Sequence, residues 1–146
     1  MMSETEKKVR SLVHHYYNVC DINSAKTTLY CLGELLGVSI KTQAIQAASG
    51  LYNMSRGKDG YGLLNGAVMF MGILFSKKNM AEREISNICT RFADKFQEKF
   101  GSVINRDLGS SKEALRLKEE MTVNAILFDY DFLSEVECEL TRKNPA

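Results

Sequence analysis

The sequence predicts an all-α fold, a compact bundle of about five to seven helices around a central Gly-rich apolar helix. Three observations predict it. The only proline in 146 residues is Pro145, in the carboxyl-terminal tail. A proline inside a helix costs about 3 kcal/mol, so its absence elsewhere leaves long helices unbroken. Apolar residues recur at helical spacing along most of the chain, while strand-like alternation is scarce. Finally, the stretch from Tyr61 to Phe75 contains no charged residue, as the buried middle of a bundle requires.

The elements follow in order. A first helix runs from about Thr5 to Cys20, with Val9, Leu12, Val13, Tyr16, Tyr17 and Cys20 on one face. Asp21-Ile22-Asn23-Ser24 breaks it, and Asn23 or Ser24 caps the next helix by accepting from an orphan backbone N–H. That second helix carries Ala25, Thr28, Leu29, Leu32, Leu35 and Leu36 and ends at Gly37. A third spans about Ile40 to Met54, with Ala44, Ile45, Ala47, Ala48 and Leu51 buried, before the polar turn Arg56-Gly57-Lys58-Asp59-Gly60. The fourth, Tyr61 to Phe75, would be roughly 22 Å long, too short to cross a bilayer. Its Gly62 and Gly66 share a face, and repeated glycine in a helix implies that another backbone or a ligand comes close. A fifth helix, about Ala81 to Phe100, bears the stripe Ile85, Ile88, Cys89, Phe92, Phe96 and Phe100, and Gly101 stops it. After a connector from Gly101 to Gly109, Ser110 or Ser111 caps a sixth helix, with Glu113 placed for a capping box. It runs to about Glu139 on Leu115, Val123, Ile126, Leu127, Tyr130, Leu133 and Val136, and Leu140 to Ala146 frays.

Composition sets the remaining bounds. The apolar share of 45% and charged share of 25% are those of a globular protein, and residues 1–146 read as a single helical domain. A net charge of +1 offers no field for a phosphate backbone, so nucleic acid is not an expected partner, and neither is a membrane. The four cysteines, Cys20, Cys31, Cys89 and Cys138, match neither a zinc site nor a Cys-x-x-Cys pair. With a polar, acidic amino terminus, the expected location is cytoplasmic, with reduced thiols.

Three segments, in order, resemble a family of putative redox-active proteins named for a Cys…Gly-Cys-Ala-x-x-Gly…Cys…Cys pattern. They are Tyr17-x-x-Cys20-x-x-Asn23-Ser24-Ala25, then Gly60-Tyr61-Gly62-Leu63-Leu64-Asn65-Gly66-Ala67-Val68-Met69 with Met71-Gly72, then Phe96-x-x-x-Phe100-Gly101-Ser102-Val103-Ile104-Asn105-Arg106-Asp107-Leu108. The resemblance extends over about residues 13 to 136. It implies that the first motif cysteine falls on Ser24, the second on Tyr61 or Gly62, the third on Asn105, and the last near Glu119 to Met121, where this chain has no cysteine. Serine, tyrosine and asparagine cannot perform thiolate chemistry. The resemblance therefore supports the fold and argues against the redox or metal-binding role.

The candidate residues follow from these readings. Cys89 reads as a small core hydrophobe. Cys20 and Cys31 could pair only with Cα atoms within about 7 Å, and Cys138 reads as free. His14 and His15 point about 100° apart on a helix and read as solvent-facing or half-buried rather than as ligands. Glu82 and Glu84 do not share a face, and no Glu-x-x-His pair suggests a di-iron bundle. Asp129 and Asp131 read as a solvated pair, with a carboxylate near a pocket as the other reading. The resemblance brings Ser24, Tyr61 and Asn105 near each other, with Asn65 beside them. Either a small polar ligand pocket survives there, or the Tyr61 ring fills the space. No catalytic residue or metal ligand is expected, and the sequence names no cofactor. The expected function is a binding or interaction protein with a small-molecule or protein partner. A homodimer through the Gly62/Gly66 face or the apolar stripes is a further expectation. The alternative is an oxidoreductase-type or cofactor-carrying protein using a bound cofactor near the former cysteine positions.

Overall fold

The computed structural model describes residues 1–51, 60–104 and 108–143. Its elements are helices α1 (Glu4–Asn18), α2 (Ser24–Leu36), α3 (Thr42–Ala47), a 3₁₀ turn (Ala48–Leu51), α4 (Gly60–Lys77), α5 (Glu82–Ile104) and α6 (Lys112–Lys143). Among the described residues there is no strand, so the fold is all-α, with six α-helices.

Local chemistry explains most boundaries. Ser3 Oγ accepts from the Glu6 N–H at 3.1 Å, and Glu4 and Glu6 face the positive end of α1. Val9 and Val13, one turn apart, are its buried anchors. The helix stops at Asn18, before the predicted end, so Cys20 leaves the apolar face and is exposed. The chain then turns through Asp21 at φ 50°. Asn23 caps α2 by accepting from the Lys26 N–H at 2.8 Å, and its amide donates to the Ala48 carbonyl at 3.1 Å, tying the 3₁₀ turn to this corner. Gly37, at φ 67°, closes α2.

α3 is much shorter than predicted. Lys41 supplies no capping side chain, and Ile45, Ala48 and Leu51 recur every third residue, the spacing a 3₁₀ turn buries rather than an α-helix. Ala47 is exposed, not buried. The predicted stretch beyond Leu51 and the turn at Arg56-Gly57-Lys58-Asp59 lie outside the described residues. α5 passes through Gly101 instead of ending there. Ile104, fully buried, repeats the Phe96 and Phe100 positions four residues on, and burying such a side chain, worth about 1.5–3 kcal/mol, outweighs the roughly 1 kcal/mol cost of a helical glycine. Ser111 is the cap of α6, accepting from the Ala114 N–H at 3.1 Å. Glu113 therefore falls one residue short of a capping box and pairs weakly with Arg116 at 3.7 Å. Leu115 is 56% exposed, a departure from the predicted core. Leu140 is helical and packs on the core, so the described part of the tail is ordered helix.

α4 lies at the centre, packed against α2, α5 and α6. Leu63, Ala67, Phe70, Met71, Leu74 and Phe75 are its buried apolar side chains, and all six helices contribute to one apolar cluster. No helix among the described residues is long and apolar enough to cross a membrane. α5 joins the cluster through stacked and edge-on rings, with Phe92 centred 5.2 Å from Phe132 and Phe100 5.5 Å from Phe128.

Candidate functional site

The corner where α1 ends, α2 begins and α6 starts holds the clearest candidate site. Ser24 is the first residue of α2, and α4 meets α2 there at its two glycines. A Cβ on Gly62 would overlap Ser24 Oγ and lie 3.4 Å from Ser24 Cβ. One turn on, a Cβ on Gly66 would stand 2.7 Å from the Ala25 carbonyl oxygen and 2.9 Å from Ala25 Cα. The close backbone approach that the glycine spacing predicts is thus an approach of α2. The Gly62/Gly66 face is packed against α2 within the chain. Gly72 faces open space.

On its other side Ser24 borders a cleft of about 270 Å³, lined also by Tyr17, Asn18, Asp21, Ile22, Asn23, Leu115, Lys118 and Glu119. The cleft is built from both sides of the α1–α2 turn and from the first turns of α6. Tyr17 fixes the wall. Its phenol bonds Thr122 Oγ1 at 2.6 Å, and because the Thr122 hydroxyl donates to the Lys118 carbonyl at 2.8 Å, the phenol is the donor. The Glu119 carboxylate is held by His14 Nδ1 at 3.0 Å and by the Asn18 amide at 3.4 Å. Glu119 also borders a second, shallower groove between α1 and α6 of about 520 Å³. There Arg10 clamps Glu120 with two bonds of 2.7 and 2.9 Å and reaches Glu6 at 3.0 Å. That clamp holds the Glu120 carboxyl below its usual range.

The sequence-derived site residues are placed as follows. Ser24 lines the cleft. Tyr61 and Asn65 are half-buried on α4, one turn apart, and are not among the residues lining it. Asn105 lies outside the described residues. The sequence reading missed Asn18, Asp21, Ile22 and Lys118, and took Leu115 for core. The one signal pointing their way was the predicted last motif position near Glu119, which shares the cleft with Ser24.

The other titratable candidates separate by burial. Cys31 is fully buried, and burial pushes its thiol up to about 12. Cys89 is half-buried rather than core, with its thiol also raised by burial. Cys20 and Cys138 are exposed, and all four are free, so Cys20 and Cys31 do not pair. His14 and His15 are both exposed. Among the described residues no group of three or more His, Cys, Asp or Glu side chains is placed to hold a metal ion. The expected solvated pair of acids splits. Asp131 is exposed, but Asp129 is fully buried, and neither of its oxygens has a hydrogen-bond partner among the described residues. The reason is register: Asp129 sits on the same face of α6 as Ala125, Ile126, Leu133 and Val136, all buried. Desolvation pushes its carboxyl well above the usual range.

A family model described as "Putative redox-active protein (C_GCAxxG_C_C)" matches residues 22–128. No curated protein matches the chain. No solved structure matches it either.

Proposed function

Because the chain belongs to the putative redox-active protein (C_GCAxxG_C_C) family, we propose that it keeps that family's helical frame as a single-domain, cytoplasmic binding protein. In this proposal it has given up thiol chemistry at the motif positions. The supporting observation is the corner at Ser24. The residue that the resemblance puts in place of the first cysteine abuts Gly62, one of the two candidates for the second, and shares a cleft with Glu119, beside the last. A hydroxyl, a glycine and a carboxylate there can hold a ligand but cannot cycle between thiol and disulfide. The cleft is at the small end of ligand sites, so it suits a small molecule, with Ile22, Leu115 and the Tyr17 ring as apolar wall and the polar groups of Ser24, Lys118 and Glu119 as orienting contacts. Tyr61, Asn65 and Asn105 join the proposed ligand set through the resemblance alone, since Tyr61 and Asn65 stand on α4 outside the lining of this cleft.

The test is a thermal-shift screen of small polar metabolites on the purified chain and on Ser24→Phe, whose ring would fill the cleft. A ligand that raises the Tm of the first and not of the second is the expected result. Shifts equal in both proteins would refute the site. The family's redox character favours a second reading, a protein carrying a bound cofactor near Ser24, Tyr61, Asn65 and Asn105. A stoichiometric chromophore or metal in the purified protein would establish that reading and displace the first.

A further inference from the structure

The motif positions lack thiols, but one exposed thiol in the chain has a base beside it. Cys20 Sγ lies 3.5 Å from His15 Nε2. The pair is built by the turn that ends α1: the Cys20 N–H donates to the His15 carbonyl at 3.2 Å, which brings the cysteine back over the residue five positions earlier. The imidazole is steadied by the Tyr16 ring, edge-on with centroids 5.3 Å apart. Asp21, at φ 50°, holds the turn immediately after. Both side chains are accessible. The residues on either side of Cys20, namely Tyr17 and Asn18 before it and Asp21 and Ile22 after it, form one wall of the cleft at Ser24. Cys20 and His15 themselves are not among the residues lining that cleft, so the pair stands on the outer side of the turn.

We propose that Cys20 and His15 form a nucleophile–base pair that undergoes thiol–disulfide exchange with low-molecular-weight disulfides. Cys20 gives its proton to His15 Nε2 as its sulfur attacks one sulfur of the disulfide RSSR. The S–S bond breaks, a protein–SR mixed disulfide forms, and the second sulfur leaves as RS⁻, taking the proton from His15 to become RSH. One S–S bond replaces another, and the disulfide itself is the oxidant. The imidazole is the proton acceptor that the turn places beside the sulfur. Cys138 provides an internal comparison, since it is exposed but has no imidazole beside it among the described residues.

The experiment treats the full chain with bis(2-hydroxyethyl) disulfide at neutral pH and follows each cysteine by peptide mass spectrometry. The wild type, His15→Gln and His15→Asn are compared, and circular dichroism confirms that each is folded. Cys20 should be the first site modified. Its rate should fall about tenfold or more in both variants, a small part of what a positioned base can contribute, while the Cys138 rate stays unchanged. First modification at Cys138 or Cys89, or an unchanged Cys20 rate in folded variants, would overturn the proposal. Neither result bears on ligand binding at Ser24, because His15 is not among the cleft residues.

Discussion

Asp129 is where one residue sets a property of the whole chain. A fully buried carboxyl with no hydrogen-bond partner among the described residues is held at a cost of about 1–3 kcal/mol even when neutral, and at a much larger cost when ionised. Its folded pKa is raised by desolvation, while in the unfolded chain an aspartate titrates near about 3.9. Below that value the group is protonated in both states and contributes no pH dependence. As pH rises above it, the unfolded state ionises first and is favoured, by about 1.4 kcal/mol for each unit separating the two pKa values. The loss of stability continues until the folded pKa is reached. Asp129→Asn removes the ionisation but keeps the shape. Urea denaturation should therefore find the variant close to the wild type near pH 4, and more stable by at least about 1 kcal/mol at pH 8. A gap that fails to widen with pH would mean that the buried acid finds a partner in solution.

The α2–α4 contact shows the same economy at the scale of an element. Two glycines on one face of α4 let the helix backbones meet, and a third glycine on that helix does nothing of the kind. The three positions should respond differently to alanine. Gly66→Ala puts a methyl against the Ala25 backbone, which cannot rotate away, and is expected to destabilise by about 1–3 kcal/mol. Gly62→Ala overlaps the Ser24 hydroxyl, a side-chain atom that can turn aside, and meets Ser24 Cβ and the Ala25 nitrogen at ordinary contact distance, so its cost should be smaller. Gly72→Ala meets nothing and removes unfolded-state freedom, so it should stabilise by about 0.4–1 kcal/mol. Thermal or denaturant unfolding of the three variants tests the order, and a Gly66→Ala protein as stable as Gly72→Ala would show that the helices do not approach as closely as described.

Across the whole molecule, the helices were legible in the sequence and the walls of the site were not, for physical reasons. Periodicity reports which face of a helix is buried, so Val9 and Val13, the phenylalanines of α5 and the uncharged stretch Tyr61 to Phe75 of α4 could all be read directly. The cleft depends on how α6 crosses α1. Leu115 and Lys118 face it only because of that crossing, and Asp21 and Ile22 only because α1 ends early. Asp129 was misread because its acidic type suggested solvent while its helical position, in register with Ile126 and Leu133, dictated the core. The resemblance carried information that local pattern could not, namely that positions far apart in the chain belong together. That claim can be tested on the chain itself. The Cβ positions at residues 24 and 62 are 3.4 Å apart, at the short edge of the roughly 3.5–4.5 Å span of disulfides. The double substitution Ser24→Cys and Gly62→Cys should then close a covalent link between α2 and α4 on mild oxidation. Mass spectrometry would show a peptide joining the two segments. Closing so long a loop should raise stability by up to about 4 kcal/mol, less whatever strain the short spacing imposes. Formation of the link is not the only readout, since the reduced double variant must also fold. If it folds and oxidises without forming the link, then the first and second motif positions do not meet at this corner, and the case for Ser24 as the centre of the ligand site fails with them.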